Sequence, residues 1–176
     1  GRKLGSFGDL AICSFYATKV ITTGEGGALI INSDKFKGTS VNKSFYKMPD
    51  LQSALGLSQL EKIKKLNQRR KELFKIYRTE LRKIPKITLV DSPLSINYRC
   101  IIETENASAI SRDLKAKGVM AEKYTSTAFN YLKLDPKKYP NVAYADKRFV
   151  SLPIYPSLSP KKVKLIVSKL GEVIKK

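Results

Sequence analysis

Two short apolar runs near the start of the chain, residues 10–15 and 28–31, constrain its fold more than any other feature. Neither alternates apolar with polar side chains, so each is expected as a strand covered on both faces. Gly8-Asp9 bounds the first run, Asn32-Ser33-Asp34 closes the second as a polar turn, and between them lie Thr18-Lys19 and the cluster Gly24-Glu25-Gly26-Gly27,.

Beyond this pair the period changes. From Pro49-Asp50 onward Leu51, Ala54, Leu55, Leu60, Ile63, Leu66, Leu73, Ile76, Tyr77 and Leu81 recur mostly at three- and four-residue intervals. That spacing predicts a helix of about thirty residues with these side chains inward, capped by Asp50 and stopped near Pro85. Strands are expected at 87–90, 96–102 and 119–124, and an extended stretch at 149–155. Asn106 should cap a short helix with Ala107, Ile110 and Leu114 inward and Gly118 at its end, and residues 141–148 should form another. The last helix has Ser159 as N-cap, Pro160 at its first position, and Val163, Ile166, Val167 and Leu170 on one face,. Mixed strands and helices make the fold class α/β.

Several functions are excluded by what the chain lacks. Its 176 residues contain no histidine, so it cannot by itself supply a Ser-His triad or a histidine metal site,. Cys13 and Cys100 lie too far apart for a zinc cluster, both are expected as buried thiols, and no metal is expected,. No apolar run approaches the roughly 18 residues that cross a bilayer, and no signal peptide is recognisable, so a cytoplasmic location without membrane association is expected. The net charge of +19 suits polyanions in general,. Its lysines are scattered without an arginine-aromatic stripe, which favours a solvated surface over nucleic-acid binding.

The chemistry concentrates at Lys19. A lysine just beyond an apolar strand, with a glycine-rich turn behind it that admits a ligand to the backbone, is a plausible site for covalent catalysis through its amine. Burial would make the free amine available as nucleophile and base. Ser14, five residues earlier, could donate its hydroxyl to a phosphate. The competing reading is a lysine merely leaving a strand.

Taken in order, Gly5-Ser6-Phe7-Gly8-Asp9, Ser14-Phe15, Lys19, Gly24-Glu25-Gly26-Gly27 and the stretch from Tyr46-Lys47-Met48-Pro49 to Gly56 resemble the sugar aminotransferases named after DegT, DnrJ and StrS. Leu152-Pro153-Ile154-Tyr155-Pro156 resembles that family's C-terminal signature, so the likeness covers nearly the whole chain. The resemblance implies the end of a large domain of the aspartate-aminotransferase-like, pyridoxal phosphate-binding type at residues 1–40, a linker loop at 41–49, and the small α/β C-terminal domain at 50–176. It implies that Lys19 is the amine joined to pyridoxal 5'-phosphate and the carrier of the substrate proton, and that Ser14 binds the cofactor phosphate. It further implies that Glu25 and its glycines shape the site, and that Tyr46 and Lys47 lie on a loop reaching a neighbouring subunit's site. Phe45 stands where many members have asparagine, and the segment after Gly118 lacks a histidine common in the family.

The family's reaction moves an amino group, with glutamate the expected donor, to a keto group on a nucleotide-linked sugar. Its members are dimers about twice this long. Their preceding half supplies the aspartate on the pyridine nitrogen, the aromatic stacked on the ring and a phosphate-binding turn. This chain is accordingly expected to be inactive alone, and to work as a homodimer or by pairing with such a half. The alternatives are a sugar-dehydrating relative, disfavoured by lysine at position 19, and a non-catalytic interaction or structural fragment. Tyr124, Phe129, Tyr131 and Tyr155 are expected mostly in the core, Arg69-Arg70 as a solvated or interface pair, and Asp113 with Lys117 as a surface ion pair.

Overall fold

The computed structural model describes residues 2–36, 38, 47–123 and 131–175. Two compact units make up the chain, Gly1–Leu66 and Asn67–Lys176. The division falls inside the long helix, whereas the sequence reading starts the C-terminal domain at residue 50.

In the first unit β1 (Leu10–Ser14) and β2 (Gly27–Ile31) pair antiparallel, Leu10 opposite Ile31 and Ser14 opposite Gly27. Strand alternation puts Leu10, Ile12, Leu29 and Ile31 on one face and Ala11, Cys13, Ala28 and Ile30 on the other,. Cover on both faces, which the apolar runs predict, is not provided by the described residues: Ile12 is 84% exposed and Leu29 51%. A two-stranded ribbon has no layer of its own to bury both sides. Cys13, expected buried, is half-buried for the same reason.

Helix α1 (Asp50–Leu81) begins with Asp50 as its first residue rather than its cap, and the Ser53 amide donates to the Pro49 carbonyl at 2.9 Å. Among the described residues of the first unit, most of its apolar side chains do not point into a core. Leu51 is 84% exposed, and Leu55, Leu57 and Leu60 are exposed too. The turns after Leu81 run into Pro85, as the sequence predicts.

The second unit is built on an antiparallel sheet of order β3-β4-β6-β5, with β3 (Thr88–Val90), β4 (Cys100–Glu103), β5 (Glu122–Lys123) and β6 (Phe149–Leu152). Strand β4 is shorter than predicted because Asn97, at φ 55°, leaves the extended region,. Cys100, Ile102, Val150 and Leu152 of the two central strands are buried together with Leu73, Phe74, Tyr77 and Leu81 of α1. Helix α2 (Ala107–Ala116) adds Ala107, Ile110 and Leu114, and α4 (Pro160–Ile174) adds Val163, Ile166, Val167 and Leu170. Between them in sequence, α3 (Pro140–Arg148) places half-buried Lys123 and buried Asp146 2.9 Å apart. Two of the three predicted caps are formed, that of Asp50 being the exception: Asn106 accepts from the Ala109 amide at 3.0 Å and Ser159 from the Lys162 amide at 3.2 Å.

One face of α1 fastens the loop after β6. The Arg69 guanidinium donates to the carbonyls of Pro156 and Leu158, Arg70 to those of Tyr98 and Ile154, and the Tyr77 hydroxyl to that of Pro153 at 2.7 Å. The arginine pair is therefore a set of donors to carbonyls outside the strands, three in the loop after β6 and that of Tyr98 ahead of β4, with Arg70 buried, rather than a solvated or interface pair,. Lys117 pairs with Glu172 at 2.6 Å and Asp113 with Arg112, replacing the predicted pair within α2. Tyr131 and Tyr155 are exposed, contrary to expectation, and Tyr124 and Phe129 lie outside the described residues.

Candidate active site

The connection between β1 and β2 carries the residues singled out by the sequence. Its base is a set of backbone bonds: the Phe15 amide donates to the Gly26 carbonyl at 2.9 Å and the Thr23 amide to the Phe15 carbonyl at 3.0 Å. Above this base the Lys19 amide donates to the Tyr16 carbonyl at 2.9 Å, closing a turn that fixes the lysine backbone. Lys19 itself is exposed, so the burial expected around its amine does not come from this chain's described residues.

Ser14 ends β1 at the foot of the same connection and is also exposed. Its Oγ accepts a long hydrogen bond from the Tyr16 amide at 3.4 Å, which leaves the hydroxyl hydrogen for another acceptor,. The structure thus sets Ser14 and Lys19 on one hairpin connection. Lys47 is exposed just ahead of α1, and Tyr46 lies outside the described residues.

The glycines behind Lys19 serve the chain's own packing. A Cβ on Gly27 would stand 2.8 Å from the Cys13 carbonyl oxygen, and one on Gly26, which has φ 141°, would stand 2.7 Å from Thr23 Oγ1 and 2.8 Å from the Met48 methyl. Their absent side chains admit neighbouring strand, threonine and Met48, not a ligand as the cluster alone suggests. Glu25 contributes its carbonyl, which accepts from Thr23 Oγ1 at 2.6 Å.

Two residues that sequence reasoning passed over hold this arrangement. Thr23 is 4% exposed, with its hydroxyl on Glu25 and its methyl toward Gly56. Thr22 Oγ1 donates to the Phe15 carbonyl at 3.1 Å and accepts from the Gly24 amide at 2.9 Å. The available signal was the pair of threonines ahead of glycine, a pattern in which hydroxyls bond nearby backbone and shape a turn. Next to them an apolar pocket of about 310 Å³ opens, lined by Phe15, Ile21, Met48, Leu57 and Leu60 among others.

Against known proteins, the model of the DegT/DnrJ/EryC1/StrS aminotransferase family matches residues 1–171, and the chain belongs to that family. Over 102 residues, 48% of this chain and 28% of the relative, it is 35% identical to the GDP-perosamine synthase of Vibrio cholerae. Among solved structures, PseC of Helicobacter pylori, an aminotransferase involved in the biosynthesis of pseudoaminic acid, superposes with TM-score 0.82 at 24% identity, over 99% of this chain and 55% of that one. The PLP form of Spr1654 from Streptococcus pneumoniae superposes with TM-score 0.82 at 22% identity, over 99% and 54%. These likenesses establish an α/β fold shared with about half of each of those two chains. Curated relatives aligned along nearly the whole chain are likewise spanned over only 54–56% of their length.

Proposed function

We propose that this chain carries the amine-bearing part of a pyridoxal phosphate-dependent aminotransferase whose acceptor is a keto group on a nucleotide-linked sugar and whose donor is glutamate. The observation that carries the reading is the pinned connection bearing Ser14 and Lys19, within a family match that runs through both. The donor set suits the cofactor: an exposed primary amine for its aldehyde, and a serine hydroxyl with a free hydrogen for its phosphate,. When bound, pyridoxal phosphate supplies an electron sink for the bonds at the amino-bearing carbon.

In this reading Lys19 Nζ would hold the cofactor and would take and return the proton at the substrate carbon. Ser14 Oγ orients the phosphate end, so that the amine and the phosphate donor are held by the same short stretch of backbone. Glu25 and the glycines keep the connection's shape. Lys47, with Tyr46, is assigned to a neighbouring subunit's site, which makes the working assembly a homodimer or a pairing with a half like that of the longer relatives. Residues 1–40 are the end of the cofactor domain, 41–49 a linker, and 50–176 the small domain, in a cytoplasmic enzyme.

A second reading, a non-catalytic interaction fragment, has the uncovered ribbon in its favour, since exposed apolar sheet surface marks a place for a partner,. Glutamate and pyridoxal phosphate added to the 176-residue chain, alone and joined to the preceding half of a relative, separate the two. Little pyridoxamine phosphate from the chain alone, and its formation once the chain is joined to the preceding half of a relative, support the proposal. Absence of product in both states favours the non-catalytic fragment.

A further inference from the structure

We infer that Thr22 is a positioning residue for Lys19: its hydroxyl locks the base of the lysine-bearing connection, so that the amine is presented in one backbone arrangement before any cofactor arrives. The inference rests on the assignment of Lys19 proposed above, and extends it to a residue outside the amine and phosphate donors named there.

The chain leaves the β1 ladder at Phe15 and returns at Thr23. Such an excursion is costly to hold in one shape unless its ends are tied. Three ties converge on Phe15 and Thr22. The Phe15 carbonyl accepts from the Thr23 amide at 3.0 Å and from Thr22 Oγ1 at 3.1 Å, and the same Oγ1 accepts from the Gly24 amide at 2.9 Å. One hydroxyl therefore bridges the outgoing and returning arms, donating to one and accepting from the other. A β-branched side chain is stiff at χ1, so the bridge is pre-set rather than recruited. Gly24, at φ 82° with nothing within 4 Å of a Cβ position, supplies the reversal that turns the chain back just after that amide,. The turn that contains Lys19 is strung between these ties through its own bond to the Tyr16 carbonyl.

The test uses the full chain joined to the preceding half of a relative, with Thr22→Val, which keeps the shape and removes the hydroxyl, and Thr22→Ser, which restores it. Amide hydrogen exchange at Lys19, Thr23 and Gly24 reads the connection without any cofactor. A substoichiometric addition of pyridoxal phosphate, reduced with borohydride and mapped by mass spectrometry, reads the share of label on Lys19. Thr22→Val should speed exchange at these amides roughly five- to tenfold, the effect of losing about one hydrogen bond. It should also lower the Lys19 share at least about threefold, while Thr22→Ser stays near the parent in both.

Unchanged exchange in Thr22→Val overturns the inference. Faster exchange with an unchanged Lys19 share also overturns it, because Thr22 would then be structural only. If the parent carries its label on other lysines, the cofactor assignment of Lys19 fails by itself. Exchange then decides the locking role: a response confined to Lys19, Thr23 and Gly24 and rescued by serine upholds it, and any other pattern refutes it.

Discussion

Thr23 and Gly56 meet where a side chain on the helix cannot fit: a Cβ on Gly56 would stand 2.9 Å from Thr23 Cγ2. Thr23 cannot turn away cheaply, because its hydroxyl is held by the Glu25 carbonyl at 2.6 Å and it is 4% exposed. Helix α1 thereby presses against the connection that bears Lys19 within the first unit. Gly56→Ala should lose about 1–3 kcal/mol to overpacking against a gain of about 1 kcal/mol in helix propensity. In a Thr23→Ser background the methyl is gone and the same change should become neutral or stabilising. Urea unfolding of the four variants gives the coupling directly. Additive effects would show that the two residues do not press on each other.

The loop after β6 depends on donors from α1. Arg70→Leu removes the guanidinium from the Tyr98 and Ile154 carbonyls and should cost about 2–3 kcal/mol, as for hydrogen bonds from a charged group,. Tyr77→Phe, which removes the donor to the Pro153 carbonyl, should cost about 1 kcal/mol,. Denaturant midpoints check both, and equal costs would contradict the role given to the buried charge.

Burial pushes the Cys100 thiol and the Tyr77 hydroxyl well above their ordinary values of 9.0 and 10.0. The unfolded chain then releases these protons at lower pH than the folded chain, so stability is full below the ordinary values and falls as pH rises past them. The Cys100 contribution should begin to be lost above about pH 9 and that of Tyr77 above about pH 10, each adding up to about 1.4 kcal/mol per pH unit to the slope. Comparison of the parent with Cys100→Ala and Tyr77→Phe isolates the two slopes. Parallel pH profiles in all three would contradict the burial argument.

Helix caps offer a local check. Asn106→Ala and Ser159→Ala each leave an amide of the first turn without its side-chain acceptor, and each should cost about 1 kcal/mol by thermal or urea unfolding,. No loss in either would mean that water replaces the cap without cost.

Much of this molecule is legible in its residues. Asn106, Gly118, Ser159 and Pro160 mark helix ends by local chemistry, and the three- and four-residue spacing through Tyr77 and Leu81 places α1 without help from the rest of the fold,. Burial is less legible, because periodicity states which side chains share a face and not what covers that face. Leu51 and Leu73 carry the same signal on one helix, yet the first is 84% exposed and the second fully buried. The candidate site follows the same division. Lys19 and Ser14 stand out by motif, whereas Thr22 and Thr23 act through bonds to Phe15, Gly24 and Glu25 that depend on how the two strands return to each other. The Arg69-Arg70 pair carries charge that reads as surface until the carbonyls of a distant loop are brought beneath it.

The central claim is that Lys19 is the amine that holds pyridoxal phosphate. It is tested most directly in the chain joined to the preceding half of a relative, by adding one equivalent of pyridoxal phosphate, reducing with borohydride and mapping the labelled peptide. The account predicts label on Lys19 and its disappearance in Lys19→Ala. Label concentrated on any other lysine, or undiminished in Lys19→Ala, would contradict it.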